Sequence, residues 1–153
     1  MNIMIEYLDL HGATINALRD YNIKKKTASM AKQRIDRRKS DLTSVKAPKI
    51  DGMPTTHNPH AMEEKITATL DDITLLEHSY ERAKMFLDWF EPAWNNLSGD
   101  EQFILEKFYC VNDRSGENAV VEIASKLHIS ESYVYKIAKR TAEKLQELLF
   151  GAK

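Results

Sequence analysis

Residues 120–146 read VVEIASKLHISESYVYKIAKRTAEKLQ, and the pattern within them decides the fold. Val120, Ile123, Ala124 and Leu127 recur at the three-and-four spacing of one helical face, with Glu122, Ser125 and Lys126 on the other. His128 closes this helix. Ser130 is a suitable N-cap for a second one, because its side-chain oxygen can accept a bond from a backbone N–H that has no partner within the first turn. Val134, Ile137, Thr141 or Ala142, Leu145 and Leu148 then continue one apolar stripe to Gly151, which suits a helix C-terminus. The spacing predicts a helix, a tight turn and a second helix of about 20 residues, roughly 30 Å long.

Two helices joined so closely must cross at short range. Ala124 supplies a small residue for the crossing, and Leu127, Ile129, Val134 and Ile137 can close a small core. With that face buried, the start of the second helix turns outward Glu131, Ser132, Tyr135, Lys136, Lys139 and Arg140, beside the capping Ser130. These are the expected DNA-binding residues, since a recognition helix enters the major groove of double-stranded DNA by such an end. Tyr133 is expected at the helix edge. The competing interpretation is a pair of core helices with no role in DNA binding.

Residues 122–145, EIASKLHISESYVYKIAKRTAEKL, resemble without a gap the fourth conserved region of sigma-70-type factors, which reads the upstream promoter element. The preceding LSGDEQFILEKFY, residues 97–109, is similar to the opening helix of that region. Together with the trailing AEKLQELLFG, the last third of the chain looks most like small phage-encoded late transcription regulators of the ArpU type. The resemblance implies a late-gene activator that works with bacterial RNA polymerase. Two positions depart from the pattern. His128 stands where glycine is common, and Glu131, Ser132, Tyr135 and Lys136 occupy a reading face that often carries arginine or glutamine.

Charge divides the chain more informatively than its total of −1. Residues 21–50 hold ten basic and two acidic side chains, a balance of +8, and residues 51–120 hold five basic and fourteen acidic ones, a balance of −9. From residue 121 the balance is +2, six basic against four acidic. Cys110 is the single cysteine and cannot form an internal disulfide; with no leading signal segment and no long apolar run, the sequence implies a cytoplasmic protein without a membrane partner. His57 and His60 lack the companions of a metal site, and a solvated loop explains them better. No glycine-rich phosphate loop, nucleophile elbow or pair of catalytic carboxylates is present, so neither an enzyme nor a cofactor is expected.

Upstream, Ile5, Leu8, Ile15 and Leu18 predict one helix or two short ones over 3–21, with Gly12 a weak point in the middle. Lys24 to Val45 reads as a long helix with Ala28, Ala31, Ile35, Leu42 and Val45 on a heptad-like seam, in which Arg38 takes one position. Residues 47–60, APKIDGMPTTHNPH, read as a loop. From Ala61, Ile66, Ile73, Tyr80, Leu87 and Trp94 recur by sevens, and Thr69, Leu76, Ala83, Phe90 and Leu97 follow three positions later. These predict a helix of about nine turns, which Pro92 should end or kink near Phe90. Leu70, Leu75, Phe86 and Trp89 widen its apolar surface enough for a third helix or a partner chain. Ser98 to Glu101 is a capping box that opens the next helix, and residues 111–118 read as a loop.

The basic helix over 24–46 can hold phosphates, or it can pair with the acidic helix over 61–94 and set its register. The expected whole is all-α: an N-terminal helical hairpin or coiled coil over 1–95, then a sigma-like helix-turn-helix domain over 96–153. Its expected function is sequence-specific transcriptional regulation, as a homodimer or with polymerase. The alternatives are a phage terminase small subunit, which also joins a helix-turn-helix to an oligomerising helical region, and a helical interaction module that binds no DNA.

Overall fold

The computed structural model describes residues 7–45, 59–110 and 116–151, and every regular element among them is helical. Helix α1 spans Leu10–Val45, α2 Pro59–Asn95, α3 Gly99–Leu105, α4 Gly116–Leu127 and α5 Glu131–Phe150. Helix α3 runs on into a π-helical turn, Glu106–Cys110. The expected loop positions 47–58, with His57, and 111–115 lie outside the described residues, as do Ile3 and Ile5.

Local chemistry explains several helix ends. Ser98 accepts from the Glu101 N–H at 3.2 Å while the Glu101 carboxylate accepts from the Ser98 N–H, the reciprocal pairing expected of the S-x-x-E stretch. Helix α1 starts later than expected, at Leu10, because Asp9 caps it: its carboxylate accepts from the Gly12 N–H at 2.9 Å. Gly12 therefore lies in the first turn, not the middle. Nothing between Tyr21 and Lys24 breaks the helix, so the two helices expected over 3–21 and 24–45 are one. Helix α2 begins at Pro59, two residues before Ala61, since proline is pre-shaped for a first helical turn and the N–H it lacks would have no partner there.

Pro92 does not end α2, which continues to Asn95. The missing N–H leaves the carbonyl of Asp88 without its usual donor, but Asp88 and Pro92 are both exposed, so water can replace that bond. The other face carries Phe90, Ala93 and Trp94 into the core, and their burial favours continuation.

The residues form two compact units, Met1–Ile23 with Phe86–Lys153, and Lys24–Met85. The division differs from the boundary read at residue 95, because the start of α1 and the end of α2 pack with the C-terminal helices. In the first unit, Ile15, Leu18 and Tyr21 share a core with Phe90, Trp94, Leu105 and Leu145. The rings of Tyr21 and Phe90 lie 4.8 Å apart. Arg19 Nε donates to the Tyr109 carbonyl at 3.0 Å, serving a backbone acceptor in the π turn.

In the second unit the buried positions are Ala28, Ala31 and Ile35 on α1, and Ile73 and Ala83 on α2. Arg38 reaches Asp72 at 3.3 Å and Lys39 reaches Glu77 at 3.6 Å. Leu42 shares a groove with Ile66 and Thr69, whereas Arg34 shares one with Leu75 and Leu76, so the two segments run antiparallel. Part of the basic run is thus paired with the acidic helix. These side chains are about half exposed, and each pair contributes only about 0–1 kcal/mol, enough to orient the helices more than to hold them.

Candidate nucleic-acid interface

Helices α4 and α5 are joined by His128, Ile129 and Ser130. His128 has φ 55°, the left-handed conformation that glycine adopts most easily. It lets the chain reverse direction, and the Ile129 N–H then donates to the Ala124 carbonyl at 3.1 Å, which satisfies an acceptor at the end of α4. Ser130, extended at φ −73° and ψ 151°, accepts from the Tyr133 N–H at 3.3 Å and starts α5. Gly151, at φ 69°, ends α5 after 20 residues, in agreement with the stop and the length read from the sequence.

One apolar cluster lies beneath the connection. Val120 and Ile123 from α4 meet Val134 and Ala138 from α5 and Ile104 from α3, with Ala124, Leu127, Ile129 and Ile137 packed around them. The stripe on α5 differs from the expected one at its end: Ala138, Thr141, Ala142 and Leu145 are buried, whereas Leu148 is 42% exposed.

Burial of that face leaves Glu131, Ser132, Tyr135, Lys136, Lys139 and Arg140 exposed. Ser132, Lys136 and Lys139 follow one stripe, and Glu143 continues it. Lys136, Lys139 and Arg140 make no ion pair among the described residues, so their charge is available to an external anion. The other cations nearby are engaged: Lys107 pairs with Glu122 at 3.0 Å, Lys144 with Glu101 at 2.9 Å, and Lys126 stands 3.7 Å from the centre of the Phe103 ring. Ser130 has its oxygen committed to the cap, with Ser132 Oγ at 3.2 Å, and so belongs to the frame of the surface more than to its exposed side chains.

Tyr135 is 56% exposed and rests edge-on against Phe108, ring centres 5.7 Å apart. Phe108 in turn meets Tyr109 at 4.8 Å, so the tyrosine projects from an aromatic support that limits its rotamers. A cleft of about 790 Å³ opens beside it, lined by His11, Tyr109, Lys139, Arg140 and Glu143 among others. Burial pushes the Tyr109 hydroxyl above the usual phenol range, and the Glu143 carboxylate adds to the shift. Burial likewise raises the Cys110 thiol, with Glu106 adding to the effect and Arg19 opposing it. Cys110 is thus held as a neutral, half-buried packing group whose Sγ lies 3.7 Å from the Leu18 carbonyl.

Sequence reasoning missed His11 and Glu143 at this surface. His11 is about 130 positions away in the chain, and no local pattern brings it here. Glu143 had a readable signal, its spacing of four from Lys139. The described residues contain no group of three potential metal ligands, and no helix among them is long and apolar enough to cross a membrane. No protein-family model, curated protein or solved structure matches the chain.

Proposed function

We propose that the chain binds double-stranded DNA sequence-specifically and regulates transcription, with α4, the connection 128–130 and α5 serving as a helix-turn-helix. The observation that carries this reading is the joint placement of a three-residue connection, capped on both sides, and three exposed cations with no ion-pair partner on the first turns of α5. A cationic helix end on a rigid support suits the major groove, where side chains meet base edges while neighbouring cations meet phosphates. The resemblance of residues 97–151 to the fourth sigma region and to ArpU-type regulators supports a late-gene activator working with bacterial RNA polymerase.

The reading face carries Glu131 and Glu143 beside its cations, so bulk charge is a modest source of affinity. One recognition helix rarely gives enough specificity alone, which favours two copies on paired half-sites or help from polymerase. Selection of bound sites from random duplex DNA tests the reading directly. One sequence should be enriched, and Lys136→Ala and Tyr135→Ala should each weaken its binding about 5- to 100-fold, the range of a lost base contact. Arg140→Ala should weaken all sequences alike and lower the salt slope by about one if Arg140 meets phosphate. Absence of any enriched sequence, or full binding by both the Lys136 and Tyr135 variants, would sink the proposal.

A further inference from the structure

The second unit leaves charges of both signs unpaired on one side. Arg34 and Arg37 line a groove of about 570 Å³ with Leu75 and Leu76. Nearer the start of α2, Glu63, Glu64, Ala68 and Asp71 line another of about 450 Å³. Asp71 and Leu75 are four residues apart on α2, so the two grooves follow one another along one face. Among the described residues, Arg34, Arg37, Glu63, Glu64 and Asp71 make no ion pair, whereas Arg38 and Lys39 do. Leu75 is 68% exposed at the junction, and Met30, one turn before Arg34, is 50% exposed.

We infer that this face binds a second copy of the chain, around a two-fold axis passing near Asp71, with the two α2 helices antiparallel. A two-fold axis places each patch of one copy on the other patch of its partner. Arg34 of each copy then lies against Glu64 of the other, the two Asp71 carboxylates meet near the axis with an Arg37 from each copy beside them to offset their repulsion, and each Leu75 lies against the small Ala68. Both charge contacts form twice, and an apolar side chain exposed in each copy is covered. DNA does not suit the same face, because the acidic groove next to the arginines repels phosphate. The inference deepens the two-copy part of the proposed function and rests on it only there, since mass is measured with no DNA present.

Light scattering of the full chain at about 100 µM tests it. The wild type should have twice the chain mass in dilute salt and approach one chain mass near 1 M salt, where charges more than about 3 Å apart are screened. Arg34→Glu with Arg37→Glu should give a monomer, as should Glu64→Lys with Asp71→Lys. An equimolar mixture of these two double variants should recover the dimer, because both contacts are then attractive again, and recovery also shows that each variant is folded. A monomeric wild type in dilute salt, a dimer indifferent to both reversals, or a closed ring of more than two copies overturns the inference. Loss of DNA binding with the dimer intact would instead count against the recognition helix alone.

Discussion

The two compact units use different means of cohesion. In the first, large side chains are wholly enclosed: Phe90, Leu18, Leu105, Ile123 and Leu145, with Phe90 also packed against Tyr21, Trp94 and Phe86. In the second, the buried positions are small or few, Ala28, Ala31, Ile35, Ile73 and Ala83, and exposed ion pairs flank them. Burial of apolar area contributes about 25 cal/mol per Å², whereas an exposed pair contributes about 0–1 kcal/mol. The first unit has the stronger framework for presenting a surface at fixed geometry, and the second suits contacts whose strength salt can adjust.

Phe90→Ala should break the comparison most severely. Phe90 is 0% exposed, and its loss should cost about 3–5 kcal/mol, read as a large fall in the denaturant midpoint. Ile73→Ala should cost less, about 2 kcal/mol, because its thin surroundings can close around the smaller side chain. An equal or larger loss at Ile73 would mean that the second unit is packed more firmly than its burial indicates. Ser130→Ala should cost about 1 kcal/mol through the lost cap, whereas His128→Gly should raise stability by about 0.5–1 kcal/mol by relieving the left-handed residue. Opposite shifts in midpoint from neighbouring positions would locate the strain at the connection. Smallest of all, Asp72→Asn should change stability by less than about 1 kcal/mol, and the change should fade as salt is added.

Legibility followed distance along the chain. The Ser98 capping box, the Ser130 cap and the Gly151 stop are contacts within one helical turn, so residue type and spacing sufficed to place them. The exposed face from Glu131 to Arg140 followed from the same periodicity. Packing of Tyr21 on Phe90, and the approach of His11 to the cleft beside Tyr135, join residues far apart in the chain, and no spacing rule encodes them. At Pro92, where an end or a kink was expected, the helix does not end: the local loss of one N–H was legible, but the burial of Phe90 and Trp94 that favours continuation belongs to the tertiary structure.

The π-helical turn over Glu106–Cys110 has a consequence for chain length. A π turn holds one residue more than an α turn can absorb, so side chains beyond it are rotated by about 100° from where a plain helix would place them. Phe108 and Tyr109 lie within that turn, beside Tyr135 and the cleft. Here the number of residues matters as much as their kind. A single deletion within 106–110 could leave the helix continuous and the composition almost unchanged, yet it would turn the aromatic support away from the face it now braces.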